Sequence, residues 1–94
     1  MELRLGQLVI SRAGRDRGRR YLITRILGPR FVEVSDGQAR MVSKPKKKNV
    51  NHLIVSRKVA GTVEVKLSAG MEVTDEEVRE ALKALEEDKS KGVM

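Results

Sequence analysis

A mostly β fold, a small barrel or sandwich of five short strands followed by one further strand and an α-helix, is what the sequence predicts, and three observations predict it. The first fifty-seven residues are short apolar runs broken by Gly, Pro, Asp and Lys clusters, the signature of several short strands. Asp36-Gly37 lies between two of those runs, the dipeptide favoured in two-residue type I′ hairpins. From Thr74 onward the period changes, with Val78, Ala81, Leu82 and Leu85 spaced as one face of a helix. At 94 residues the chain is one small domain, and a chain this size buries only about two-thirds of its unfolded surface. Its core is therefore small.

The elements follow in order. Gln7 to Arg12 (QLVISR) is the first strand, and the loop 13–18 follows, with Gly14 and Gly18 supplying positive φ where the chain turns sharply. Arg20 to Leu27 (RYLITRIL) is rich in β-branched residues and reads as the second strand. Gly28-Pro29-Arg30 makes a turn, with Pro29 presetting φ. Residues 30–35 and 38–42 flank Asp36-Gly37 as the two arms of the expected hairpin. Residues 43–49 (SKPKKKN) are excluded as a central strand, because Pro45 lacks a donor and four lysines repel along a ladder. Residues 51–56 (NHLIVS) make the fifth strand. Residues 62–68 (TVEVKLS) alternate Val63, Val65 and Leu67 with Glu64, Lys66 and Ser68, as a half-buried strand does. A helix over 74–90 starts at a capping box, Thr74 with Glu77, and carries acids in its first turn. The expected organisation is a barrel over 1–57, a connector over 58–61, a strand and amphipathic acidic helix packed on the barrel over 62–88, and a frayed tail over 89–94.

Charge is the second guide. The net charge of +7 divides into +11 over residues 1–60 and −4 over residues 61–94. A basic body with an acidic extension points to a polyanion, nucleic acid first. A membrane surface is not expected, since the chain has neither a basic amphipathic helix nor a lipid-anchor signal. No stretch is apolar enough for a signal peptide or a bilayer span, and there is no cysteine. Both fit a cytoplasmic protein.

The basic residues concentrate in two places. Residues 13–20 (AGRDRGRR) hold four arginines and two glycines, and residues 44–48 hold four lysines. A tight loop pushes Arg15, Arg17, Arg19 and Arg20 outward as one knob beside Arg12. The guanidinium fork bonds phosphate oxygens in pairs, and each neutralised phosphate releases condensed counterions. Asp16 is expected to hold the loop through an Asx-type bond to a neighbouring amide or a pair with an adjacent arginine. Lys44, Lys46, Lys47 and Lys48 form a second basic loop, adding affinity as mobile point charges.

The run from Leu5 to Phe31 (LGQLVISRAGRDRGRRYLITRILGPRF) resembles the KOW motif: Gly6, Val9, then Gly14 with Arg15, Asp16, Gly18 and Arg19, then an apolar strand. The continuation over 35–53 is similar to the ribosomal protein L-fourteen-e family and its small bacterial relatives, so the resemblance covers about residues 3–57. It implies an SH3-like five-stranded barrel. It also implies ribosomal or other structured RNA as partner, with ribosomal proteins nearby and the loop Gly14 to Arg19 making the contact. KOW domains of elongation factors can bind protein instead, which leaves a protein-interaction module of the transcription or translation machinery as the alternative.

The remaining residues offer little chemistry. Tyr21 and Phe31 are the only aromatics, and both lie in strand patterns, where a core role is expected over base stacking, so RNA is read by backbone and shape. His52 has no cysteine or carboxylate pair for a metal site and belongs to a core edge or cap. Asn49 and Asn51 serve a turn or a phosphate. Ser11, Ser35 and Ser56 lack a histidine base, so neither catalysis nor a small-molecule substrate or cofactor is expected. The helix acids read as a solvated face, with Arg79 and Lys83 offsetting the Glu76–Glu80 repulsion.

Overall fold

A computed structural model describes residues 2–91 of the chain, with side chains described as far as Glu87. Its strands are β1 (Gln7–Ser11), β2 (Arg20–Ile26), β3 (Phe31–Ser35), β4 (Lys46–Asn49) and β5 (Leu53–Val59). A 3₁₀ turn (Val50–His52) precedes β5, and two helices follow it, α1 (Gly61–Ser68) and α2 (Asp75–Lys91). The strands form one antiparallel sheet in the order β4-β3-β2-β1-β5. The fold is thus mostly β with two helices, and β4 and β5 are the two edges of a sheet that its hydrogen bonds do not close.

Alternation of side chains along each strand gives the sheet two buried faces. Val9, Tyr21, Ile23, Val32, Val34 and Leu53 fill one, capped by Leu3, Leu5 and Val50. Leu8 and Leu22, paired across β1 and β2, lie on the other with Ala60, Val63, Val73 and Val78, and the stripe of α2 expected from its spacing (Ala81, Leu82, Leu85) packs there. The capping box is present: the Glu77 amide donates to Thr74 Oγ1 at 3.1 Å and the Thr74 amide to Glu77 Oε1 at 3.0 Å. The helix runs to Lys91, three residues into the expected tail, and 92–94 lie outside the described residues.

Three expectations are corrected. Residues 62–68 are helix α1, not a strand. Val63 is buried while Val65 is two-thirds exposed, so the alternation is coincidental and the buried face is the i, i+4 pair Val63 and Leu67. Its end is a Schellman cap, with Gly70 at φ +74°, the Gly70 amide donating to the Leu67 carbonyl and the Met71 amide to that of Lys66. Second, Asp36-Gly37 is not a two-residue hairpin. A type I′ turn needs positive φ at both central residues, and among the described residues only glycines have it. The Asp36 carboxylate instead accepts from the amides of Gln38 and Arg40, both at 2.9 Å. Residues 36–45 form an irregular loop fastened to the start of α2, where the Val42 amide donates to Asp75 Oδ1 and Arg79 Nη1 to the Gly37 carbonyl, both at 2.7 Å. The partner of β3 is therefore β4, and the third correction is that Lys46–Asn49, expected within a basic loop, is a strand; it is an edge strand, so its exclusion as a central strand holds. It avoids the expected repulsion by sitting at the sheet edge directly after Pro45 and sending alternate lysines to opposite faces.

Candidate nucleic-acid interface

The loop between β1 and β2 has one dominant feature, the carboxylate of Asp16. Oδ1 accepts from Ser11 Oγ at 2.8 Å and Lys48 Nζ at 3.2 Å; Oδ2 accepts from the Tyr21 hydroxyl at 2.7 Å and Lys46 Nζ at 3.1 Å. Lys48 Nζ also donates to Ser11 Oγ at 3.1 Å. Asp16 reaches neither an amide nor an arginine, which corrects the Asx expectation, because its side chain turns back under the loop toward β2 and β4. Tyr21 is the core residue expected, 1% exposed, with its hydroxyl satisfied by this carboxylate. Burial by itself raises the Asp16 pKa, and the hydrogen bonds from Tyr21, Ser11, Lys46 and Lys48 outweigh it, holding the carboxyl well below the usual range. The Tyr21 hydroxyl is pushed above its usual range, by burial first and then by Asp16.

Above this anchor the backbone is fixed. The Gly18 amide donates to the Ser11 carbonyl at 2.7 Å and the Arg19 amide to that of Asp16 at 2.8 Å. Gly14 and Gly18 have φ of +84° and +89°, as the turn was expected to require. The Arg12 amide ties the loop to the His52 carbonyl at 2.9 Å.

The predicted site residues divide into two groups. Arg12, Arg15 and Arg17 are exposed, and among the described residues their side chains have neither an acidic nor a hydrogen-bonding partner. Arg19 pairs with Asp36 at 3.3 Å and Arg20 with Glu86 of α2 at 2.7 Å. Asp36 carries a lowered pKa: burial opposes this, and the amides of Arg40 and Gln38 and the Arg19 side chain more than offset it. Lys46 and Lys48 are turned onto Asp16, and Lys48 is 8% exposed. They are not mobile surface charges, and with Lys47 they belong to a strand rather than to a second basic loop. Lys47 lies over the ring of Phe31, Nζ 4.8 Å from its centroid. Lys44 is exposed in the loop before β4.

Phe31 is not core, contrary to expectation. It is 38% exposed, because its neighbour Val32 takes the inward position of β3. His52 is exposed at the end of the 3₁₀ turn, and Asn49 caps that turn by accepting from the Asn51 amide at 2.9 Å. On α2, Glu77 pairs with Lys66, the first cause of its lowered pKa, with the Thr74 amide second.

Sequence reasoning expected Asp16 to hold the loop but missed its partners Ser11, Tyr21, Lys46 and Lys48, and it missed a hollow beside the loop, of about 540 Å³, lined by Ile10, Ser11, Arg12, Arg17, Gly18 and Ile54. Spacing held a signal for the first: Lys46 and Lys48, two apart on a strand, point the same way. No helix among the described residues is long and apolar enough to cross a membrane. The chain matches no family model and no curated protein, so its chemistry has to be read from this geometry alone.

Proposed function

We propose that the protein binds RNA, gripping the phosphate backbone of a structured RNA through the loop between β1 and β2, and that it works in association with the ribosome or its RNA in the cytoplasm. One observation carries this reading: Arg12, Arg15 and Arg17 stand exposed, without partners among the described residues, on a loop whose shape is held from beneath by Asp16. A surface needs both properties to meet a polyanion. Guanidiniums already paired with carboxylates offer less, and unpaired ones on a floppy loop lose entropy on binding. The +11 charge over residues 1–60 supplies long-range attraction. The strand order and the glycine-bounded loop are compatible with the SH3-like barrel of KOW domains, which the resemblance implied. Phosphate and shape readout follows from the scarcity of aromatic side chains.

Salt titration of RNA binding tests the reading. The slope of log K against log salt is expected to be negative, by about 0.7 to 0.9 for each phosphate neutralised. In the double variant Arg15→Ala with Arg17→Ala that slope becomes shallower and the affinity falls, while stability stays within about 0.5 kcal/mol of the parent. A parent whose RNA binding is flat in salt removes the proposal. Partners that persist in a pulldown after nuclease treatment would favour the protein-interaction module instead.

A further inference from the structure

Beside the arginine loop, the face of the sheet that carries Leu8 and Leu22 has a feature that phosphate binding does not use. Ile54 on the edge strand β5 is 51% exposed and pairs across the ladder with Ile10 of β1. These two aliphatic side chains share the hollow of about 540 Å³ with Arg12, Arg17 and the backbone of Gly18. Nothing lies within 4 Å of where a Cβ on Gly18 would stand, so a ligand can come close to the main chain there. Ile10 also lines an adjoining, mainly aliphatic crevice of about 260 Å³ between the sheet and α2, beside Leu8, Leu82 and Leu85. That crevice stops at the Arg20–Glu86 pair.

An apolar floor beside Arg12 and Arg17, which have no partner among the described residues, suits a ligand that alternates anionic and apolar parts at short spacing. A simple inorganic anion has no use for the isoleucines. A wholly apolar segment would desolvate Arg12 and Arg17 without pairing them, which is costly. A nucleic-acid strand satisfies both at once, phosphate to guanidinium and the apolar face of a ribose or an unstacked base to aliphatic carbon. Arg17 belongs to the arginine loop and to the hollow alike, so the two surfaces are continuous.

We infer that the hollow formed by Ile10, Ile54, Arg12 and Arg17 is an extension of the RNA site that packs a nucleoside of the bound strand against Ile54 while Arg12 and Arg17 hold its flanking phosphates. The inference rests on the RNA-binding reading above. It adds a contact that is not electrostatic and that salt does not screen.

That difference makes the test separable. Binding of the full chain to an RNA hairpin with an open loop, and to inorganic polyphosphate, is measured across a salt series. Ile54→Ser is expected to weaken RNA binding about five-fold when extrapolated to about 1 M salt, through lost apolar contact, with an unchanged salt slope. Its affinity for polyphosphate, which has no sugar or base, stays at the parent value. Ile54→Thr keeps the β-branched side chain that strands favour and is expected to fall between Ser and the parent, which guards against a folding defect in the serine variant. Arg12→Ala with Arg17→Ala lowers the slope for both probes. If both Ile54 variants bind the hairpin as tightly as the parent, the inference is wrong and the RNA-binding reading survives. If the parent shows no salt-dependent RNA binding, that reading fails first. A glutamate- and leucine-rich peptide that binds the parent in place of the hairpin, and loses affinity in Ile54→Ser, would reassign the hollow to a protein partner.

Discussion

Residues 12–20 and residues 44–48 look alike as sequence, two short runs dense in positive charge, and the fold gives them opposite tasks. In the lysine run the cations at 46 and 48 face inward and are neutralised by a single carboxylate; in the arginine run the cations at 12, 15 and 17 face outward with no counter-charge among the described residues, and that carboxylate lies beneath them. One cluster builds the platform on which the other stands. The chemistry of the side chains suits this division. A lysine places a compact charge at the end of an apolar stem that can run along a core, while an arginine keeps its planar fork available for oxygen pairs outside. Local charge density alone therefore does not tell the two clusters apart; which cations the protein has already paired does.

Breaking the platform has the largest expected effect. Asp16→Ala strands two ammonium groups, one of them almost fully buried, and deprives the buried Tyr21 hydroxyl of its acceptor. Removing one partner of a buried ion pair costs about 3 to 5 kcal/mol, readable as a shift of the urea midpoint at unchanged slope. Removing both charges with shape kept, as Asp16→Asn with Lys48→Met, is expected to cost clearly less than the sum of the single changes, and the double-mutant cycle measures the coupling. The arginine cluster predicts the reverse: Arg15→Ala with Arg17→Ala leaves the urea midpoint in place and reduces RNA binding. Equal stability losses in the two clusters would erase the distinction between them.

Acid sharpens the same comparison. Asp16 has a folded pKa below its unfolded value of about 4, so the stability it contributes is present above that value and is lost as the pH falls below it, toward the folded pKa. Parent unfolding followed from neutral pH to about pH 3 is expected to show a falling urea midpoint, and the Asp16→Asn, Lys48→Met protein a shallower fall. Asp36, also lowered, keeps the slope of the variant from vanishing. The Arg15→Ala, Arg17→Ala variant leaves Asp16 and its partners in place, so it should track the parent.

How much of this was legible follows from which signals are local. β1, β2, β3, β5 and α2 were visible because alternation, turn residues and the Thr74–Glu77 box are read within a few positions. Helix α1 was not, since Val63, Val65 and Leu67 alternate as a strand does and only the pair Val63 and Leu67 also suits a helix; that pair packs in the cluster of Leu8 and Val78. The residue that could have tipped the balance is Gly70, placed two positions after Ser68 where a left-handed cap ends a helix. The Asp36-Gly37 hairpin failed for a non-local reason: the segment is fastened to Asp75 and Arg79 of α2, more than thirty residues away. The arginine loop was found from composition. Its support was not, because an ion network joining residues 11, 16, 21, 46 and 48 exists only once β3 has paired with the lysine strand rather than with residues 38–42.

The smallest expected effect separates arginines within the loop itself. Arg19 and Arg17 are two positions apart, yet Arg19 reaches Asp36 at 3.3 Å while its side chain stays 46% exposed. A half-exposed pair of this kind contributes about 0.5 kcal/mol or less to stability, so Arg19→Ala should barely move the urea midpoint. Its effect on RNA should also be smaller than that of Arg17→Ala. Binding a phosphate through Arg19 means sharing or breaking its contact with Asp36, and Asp36 remains anchored by the amides of Gln38 and Arg40 either way. Comparing the salt slopes of the two single variants is the check: a reduction of about one phosphate equivalent for Arg17→Ala and less for Arg19→Ala is expected. Should Arg19→Ala instead flatten the slope as much as Arg17→Ala, internal pairing would not govern which cations meet the RNA, and the ranking of the two clusters would have to rest on burial alone.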